Sequence, residues 1–181
     1  MLHTTHSNIS GYGSLTRRWS AGLIHRTRDA VEIAGLLENT GWVDSFSPKE
    51  LHVLAQYLYL CEAAKDATVV QEGGSEAYLC LLIQGRVRII KEGTGGKTRQ
   101  LGSANPGSTF GEMSLIDREP RSASVIADEP SLFVVLTAQG LENLSSEEPR
   151  LAVKVLIKIA KVISERLRET SGALVDSSRS D

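Results

Sequence analysis

Residues 106–125 read PGSTFGEMSLIDREPRSASV and combine two features that are typical of an anion-binding site. Gly111 and Glu112 open a predicted single helical turn, and Arg121 follows at the start of a run of small and apolar residues. A glycine lets the backbone approach a ligand closely, and the amides of a first helical turn have no partner within the helix. The helix dipole favours negative charge there, and an arginine can bind a phosphate through two parallel hydrogen bonds. This stretch therefore predicts a cradle for an anion.

Glu112 does not fit a pure phosphate site, because a carboxylate repels a phosphate. Its oxygens suit the cradle only if they accept hydrogen bonds from another group of the ligand, such as a sugar hydroxyl. One phosphate and one hydroxyl in a compact pocket indicate a nucleotide.

The segment FGEMSLIDREPRSASV, residues 110–125, resembles the phosphate-binding cassette of the cyclic-nucleotide-binding domain family. The resemblance implies that Glu112 binds the ribose 2′-hydroxyl and that Arg121 binds the equatorial phosphate oxygen. It also implies that the long C-terminal helix closes the base side of the pocket. The predicted ligand-binding residues are Gly111, Glu112, Met113, Ser114, Arg121, Ser122, Ala123 and Arg166.

Two positions of the cassette bear on its fit to the family. Ser114 stands where many members carry alanine, so that a small residue is kept. In the family a threonine directly after the arginine often accompanies cyclic GMP preference, whereas serine also occurs in cyclic AMP binders. Ser122 therefore favours cyclic AMP as the ligand.

Each of these residues also has a structural interpretation. Arg121 could be a surface strand arginine paired with a carboxylate, and Glu112 could be a charge favoured by the helix dipole. Arg166 either stacks its guanidinium on a purine or pairs along its helix with Glu165 or Glu169.

The middle of the chain is predicted to be β-structure. Short β-prone runs separated by glycine-containing turns are typical of an antiparallel barrel or a double-sheet jelly roll. The runs are residues 68–71, 77–83, 86–91, 97–101, 122–127 and 132–136. We expect a mainly β fold with flanking helices, namely a double-stranded β-helix (jelly-roll) barrel followed by a long C-terminal helix.

The expected order of segments follows from the same pattern. Asp29 can cap a first helix, and Ser47-Pro48-Lys49-Glu50 is a helix start with a capping box. The predicted segments are a flexible tail at 1–26, N-terminal helices at 27–66, the barrel at 67–136 with its cassette at 107–125, C-terminal helices at 137–170 and a flexible tail at 171–181.

The last helix has apolar residues over more than half of its surface, including Leu151, Val155, Ile159 and Leu167. A helix on one core needs a single apolar stripe. A second copy of the chain is the simplest partner for the other face, which predicts a homodimer through this helix. Complete burial within one domain is the alternative.

Composition sets limits on the function. The 181 residues are 41% hydrophobic and 23% charged with a net charge of −2, which is typical of a soluble globular protein and disfavours a broad nucleic-acid surface. We expect neither a membrane span nor a secretory signal, and therefore a cytoplasmic protein. Cys61 and Cys80 lie among apolar neighbours and are predicted to be buried thiols.

An enzyme is not expected. His3, His6, His25 and His52 all precede the first predicted strand, so a metal site inside the barrel lacks ligands and a nucleophile lacks a base. Too few residues follow the last helix for a helix-turn-helix domain, so DNA binding is not expected.

The sequence therefore predicts a stand-alone cyclic nucleotide sensor without metal or cofactor, with cyclic AMP as the favoured ligand. It would signal by moving its C-terminal helices toward a second subunit or a downstream protein. The alternative is a protein interaction module of the same fold that binds no ligand, or binds cyclic GMP or a cyclic dinucleotide.

Overall fold

Two helices with defined caps lie near the start of the described part of the chain. The structure is a computed structural model that describes residues 22–93 and 95–177, with side chains up to residue 172. Helix α1 (Ala30–Glu38) begins after Asp29, whose carboxylate accepts from the amides of Val31 and Glu32. Helix α2 (Pro48–Ala55) begins after Ser47, which forms the predicted capping box with Glu50. A short 3₁₀ turn, Gly41–Val43, connects these two helices.

Nine antiparallel strands form two sheets within the described residues. The first sheet has the order β1-β2-β9-β4-β7, and its strands are Ile24–Thr27, Tyr59–Ala63, Ser131–Thr137, Tyr78–Gln84 and Thr109–Phe110. The second sheet has the order β3-β8-β5-β6, and its strands are Thr68–Val70, Ser124–Ala127, Val87–Glu92 and Thr98–Ala104. Crossovers between non-consecutive antiparallel strands give the jelly roll that the turn pattern predicted.

One core fills the space between the sheets. Phe110 and Phe133 meet edge to face there with ring centroids 5.9 Å apart, a favourable aromatic geometry. Cys61 and Cys80 lie in the same cluster, which confirms the buried thiols, and burial raises the pKa of Cys61 to about 12.

A second core lies on the other face of the first sheet, under the helices. Leu79 and Leu81 of β4 pack there with Leu54 of α2, while Cys80 and Leu82 point into the barrel. Because β4 is buried on both faces, its sequence is a continuous apolar run rather than an alternating one.

Three helices follow from the cassette onward. Helix α3 (Glu112–Asp117) interrupts the strand series, α4 (Ala138–Glu147) is capped by the Thr137 hydroxyl, and α5 (Pro149–Ser177) ends the described chain. No described helix has the combination of length and hydropathy that crossing a bilayer requires.

The structure corrects several sequence-based boundaries. Residues 24–26, expected in the tail, belong to β1, which pairs with β2. Strand β2 lies in the segment assigned to N-terminal helices, and β7 was not predicted. Helix α5 continues to Ser177, past the expected end at residue 170. The predictions for residues 1–21 and 178–181 fall outside the described residues.

The expectation of no metal site assumed that all four histidines precede the first strand. His25 instead lies within β1. Its ring makes an edge contact with Tyr59 at 5.5 Å. Among the described residues, no group of three or more histidine, cysteine or carboxylate side chains could hold a metal ion.

Candidate functional site

The cassette residues line one pocket between the second sheet, α3 and α5. Its walls include Gly111 to Ser114, Arg121 to Ala123, and Arg166 and Thr170 from α5. The space, partly open to solvent, measures about 1060 Å³. Small-molecule sites typically measure about 300–1,000 Å³, so a nucleotide fits. All eight predicted site residues are therefore brought together.

Arg121 is the buried cation of this pocket. Its backbone exchanges hydrogen bonds with the loop after β3, to the Gly73 amide and the Gly74 carbonyl, at 2.9 Å each. Its guanidinium donates to the carbonyls of Gly111 at 3.1 Å and Tyr78 at 2.8 Å, and lies 4.2 Å from the Tyr78 ring centroid. These contacts fix the orientation of the planar guanidinium group.

The charge of Arg121 has no counterion in the described part of the chain. The residue is 5% exposed, its Nε has no hydrogen-bond acceptor there, and no carboxylate lies within ion-pair distance. A buried cation is costly unless an anion accompanies it. The pocket is thus electrostatically suited to a bound anion, and the surface ion pair considered as the alternative for Arg121 is absent among these residues.

Gly111 is required by the contact that holds Arg121. Its φ of +84° is a left-handed conformation that disfavours a side chain. A Cβ atom would also lie 2.3 Å from a terminal nitrogen of Arg121 and 2.5 Å from the Tyr78 carbonyl oxygen. The glycine therefore allows the guanidinium to lie directly against the start of α3.

Glu112 has one occupied and one open carboxylate oxygen. The residue is 4% exposed, and its Oε1 accepts a hydrogen bond from Arg166 of α5. Its Oε2 is buried without a partner among the described residues. An orphaned acceptor in a pocket suits a hydroxyl donor.

Arg166 connects α5 to the cassette. It donates to Glu112 and to the carbonyl of Thr109, the first residue of β7, and it is not within ion-pair distance of Glu165 or Glu169. The alternative of a pair along the helix is therefore wrong. The predicted stacking on a purine stays a prediction, and the bond to Glu112 was not anticipated.

The remaining predicted residues have different exposures. Ser114 is buried and its hydroxyl donates to the Gly111 carbonyl at 3.3 Å, whereas Ser122 is exposed and Ala123 is half-buried. Met113 is 51% exposed. Leu115 packs in the core, whereas Ile116 is 48% exposed.

Sequence reasoning missed several residues of the pocket. Thr170 lies one turn beyond Arg166 on α5, and this four-residue spacing was the available signal. Tyr78 contacts Arg121 through its ring and its backbone carbonyl, but it lies in a strand whose apolar sequence indicates only a core position. The apolar wall contains Val70, Ile89, Leu101, Phe110 and Val125.

The fold and the site together define a class of protein, a jelly-roll ligand-binding domain whose pocket offers a buried guanidinium to an anion and a carboxylate to a hydroxyl. Residues 60–148 match the family described as cyclic nucleotide-binding domain. The chain belongs to the cyclic nucleotide-binding domain family, as the cassette resemblance predicted.

Relatives and solved structures agree with this assignment. The chain is 30% identical to the cyclic AMP receptor protein of Thermus thermophilus over 123 residues, which is 68% of this chain and 55% of that protein. A cyclic nucleotide-binding domain from Methylobacillus flagellatus matches with 29% identity and a TM-score of 0.75, over 96% of this chain and 97% of that one. The Thermus thermophilus catabolite activator protein matches with 28% identity and a TM-score of 0.66, over 76% of this chain and 62% of that one.

The chain corresponds to only part of its curated relatives. It spans 55% of the Thermus protein and 61% of a CRP-like cAMP-activated global transcriptional regulator of Mycobacterium tuberculosis, to which it is 26% identical.

Proposed function

We propose that this chain is a cyclic nucleotide sensor with cyclic AMP as its preferred ligand. The observation that carries the proposal is the buried guanidinium of Arg121, which faces the pocket without a carboxylate partner among the described residues. The relatives named for cyclic AMP add support for this ligand. The protein would act by binding and not by catalysis.

In the proposed complex, the cyclic phosphate lies against Arg121 and the ribose against Glu112. The orphaned Nε of Arg121 donates to a phosphate oxygen, while its two terminal nitrogens keep their carbonyl acceptors. The 2′-hydroxyl donates to Oε2 of Glu112. The base lies toward α5, near Arg166 and Thr170.

Ligand binding would be transmitted through α5. Glu112 can hold the ribose with one oxygen and Arg166 with the other, so the carboxylate joins the ligand to the helix. A ligand shifts a conformational equilibrium only by its differential affinity for the two states. We propose that the ligand stabilises the position of α5 in which Arg166 reaches Glu112.

The output would pass to a second copy of the chain or to a downstream protein. The exposed side of α5 carries Val153 at 54%, Ile157 at 52% and Leu167 at 66% exposure, which supports a homodimer along this helix. The proposed location is the cytoplasm, in keeping with an intracellular nucleotide.

Calorimetric titration of the purified chain with a ligand panel tests the proposal. The panel contains cyclic AMP, cyclic GMP, a cyclic dinucleotide and 5′-AMP, which has the same base but a non-cyclic phosphate. We expect cyclic AMP to bind most tightly and 5′-AMP at least tenfold more weakly, because the pocket fits one monoanionic diester.

The panel also separates the alternatives. Tightest binding of cyclic GMP or of the dinucleotide would contradict the cyclic AMP assignment while keeping the site. No binding of any member at millimolar concentration would contradict the sensor function and would favour the interaction module.

A further inference from the structure

Lys91 contacts the cassette from outside the pocket. It lies on β5 just beyond the Ile90–Ser124 pair, where β5 and β8 separate. Its ammonium donates to the carbonyl oxygen of Ser122 at 2.8 Å. This carbonyl belongs to the residue that directly follows the phosphate-site arginine, while Lys91 itself does not line the pocket.

The position of the Lys91 ammonium is defined from a second side. A carboxylate oxygen of Glu72 lies 4.0 Å away, and the other oxygen of Glu72 accepts from the Glu92 amide at 2.8 Å. The Glu72 amide donates to the Ser124 hydroxyl at 2.9 Å. Glu72 thus bridges β5, which carries Lys91, and β8, which begins at Ser124.

The contact fixes the orientation of one peptide group. In a trans peptide the C=O and the next N–H are coplanar and point in opposite directions. Since the Ser122 carbonyl points toward Lys91, which does not line the pocket, the amide of Ala123 points away from Lys91, and Ala123 lines the pocket. A cation on the carbonyl also polarises the peptide and makes this N–H a stronger donor.

We propose that Lys91 is a positioning residue of the anion site, which orients and polarises the Ser122–Ala123 peptide so that the Ala123 N–H donates to the ligand's phosphate. The inference rests on the proposed cyclic nucleotide site and adds a residue from outside the cassette to it. Arg121 supplies the side-chain charge, and Lys91 prepares the neighbouring backbone donor.

The test compares three variants with the wild-type chain by calorimetric titration with cyclic AMP. Lys91→Met keeps an unbranched, flexible side chain but removes the ammonium group, and Lys91→Arg keeps a cationic donor. Lys97→Met is the matched control on the same hairpin, because Lys97 is exposed and its ammonium has no hydrogen bond or ion pair with the described residues. We expect Lys91→Met to lose about three- to tenfold in affinity, with Lys91→Arg and Lys97→Met within twofold of wild type.

A second measurement separates positioning from a general effect on the fold. In wild-type protein we expect the amide proton resonance of Ala123 to move downfield on addition of cyclic AMP, and to move less in Lys91→Met. The thermal midpoint of the ligand-free variant should stay close to that of wild type, because Lys91 is half exposed.

The outcomes are distinguishable. If the wild-type chain binds cyclic AMP and Lys91→Met binds it with the same affinity, Lys91 does not have the proposed role. Equal losses of affinity in Lys91→Met and Lys97→Met would lead to the same conclusion. Both results would leave the proposed function intact. Absence of binding to the wild-type chain would overturn the proposed function and this inference together.

Discussion

At the scale of single residues, the site depends on a cation that the fold buries before any ligand arrives. Arg121 is held by two carbonyls and by the Tyr78 ring, so its geometry is set in advance and little conformational entropy remains to be lost on binding. The charge itself remains uncompensated by any described carboxylate.

We therefore predict a large loss of affinity in Arg121→Ala. Removing a charge-assisted hydrogen bond to phosphate costs about 2–3 kcal/mol, or roughly 30- to 150-fold in affinity. Arg121→Lys should restore little of the affinity. An ammonium group lacks the planar geometry with which a guanidinium can contact both carbonyls and a phosphate at the same time. Calorimetric titration with cyclic AMP measures both effects.

Arg99→Ala is the control for that experiment, since Arg99 is an exposed residue of β6 whose side chain has no hydrogen bond or ion pair with the described residues. Unchanged affinity in Arg121→Ala, or an equal loss in Arg99→Ala, would show that Arg121 does not bind the phosphate.

How well the sequence predicts the contacts of a residue depends on whether its partners lie nearby in the sequence. Gly111, Glu112 and Arg121 lie within one short segment, and their spacing alone predicted an anion cradle. Arg166 and Glu112 are 54 positions apart, and Tyr78 lies 43 positions from Arg121. Such contacts depend on how α5 and β4 pack, which no local pattern encodes.

At the scale of elements, local chemistry predicted helix starts well and weak strands poorly. The caps of α1, α2 and α4 are satisfied by side chains near in sequence, so their starts were readable. Strand β1 is mostly exposed and its sequence IHRT lacks an alternating apolar pattern. Strand β7 has only two residues, and β2 follows α2 so closely that its apolar run continued the helical pattern.

The end of α5 was misplaced for a related reason. Ser171 and Gly172 indicate the end of a helix by sequence alone, although an isolated glycine costs only about 1 kcal/mol relative to alanine. A helix already packed over several turns can extend through such a position.

Lysines hold α5 to the N-terminal helices. Lys154 donates to Glu50 of α2 at 2.7 Å, and Lys158 donates to the Gly41 carbonyl at 3.1 Å. The hydrogen bond from Lys154, followed by those from the Ser47 amide and hydroxyl, lowers the pKa of Glu50 from 4.5 to about 2. The carboxylate therefore both caps α2 and anchors α5.

The lowered pKa predicts a dependence of stability on pH. A carboxyl whose pKa is lower in the folded state stabilises the protein above its unfolded pKa, and this contribution is lost as the pH falls through the folded pKa. We expect the stability advantage of wild type over Glu50→Gln to be complete near pH 6 and to shrink between about pH 5 and pH 2. Urea unfolding followed at several pH values measures this difference.

Glu38→Gln serves as the control, because Glu38 is an exposed residue of α1 whose side chain has no ion pair with the described residues. Its stability relative to wild type should vary little with pH. A constant difference between wild type and Glu50→Gln over the whole range would contradict the role of the Lys154–Glu50 pair.

At the scale of the whole molecule, α5 has two apolar faces, and the described part of the chain covers only one of them. Leu151, Val155 and Ile159 are buried against the helices and the first sheet. Val153, Ile157 and Leu167 lie on the other face and are more than half exposed. Exposed apolar residues repeated along one helix favour a second helix as their partner.

We predict that the chain forms a dimer of its 19.6 kDa protomers and that Ile157→Glu weakens it. A carboxylate in an apolar seam would cost about 2–3 kcal/mol, or roughly 30- to 150-fold in the dissociation constant. Sedimentation velocity over a concentration series measures the change. Val31→Glu is the control, since Val31 is 70% exposed but lies on α1. A monomeric wild type at high concentration would refute the dimer.

The dimer and the ligand site should also be coupled, because both act on α5. Arg166 of this helix donates to Glu112, whose other oxygen faces the proposed ribose. Binding equilibria that share a conformational change are reciprocal, so a ligand that tightens the dimer must bind more tightly to the dimer by the same factor. We therefore expect saturating cyclic AMP to shift the dimer dissociation constant, and the monomeric Ile157→Glu variant to bind cyclic AMP with correspondingly altered affinity. The wild-type dimer and the Ile157→Glu variant could instead bind cyclic AMP with equal affinity, and the dimer dissociation constant could be the same with and without ligand. That result would mean that the Arg166–Glu112 pair does not carry the signal.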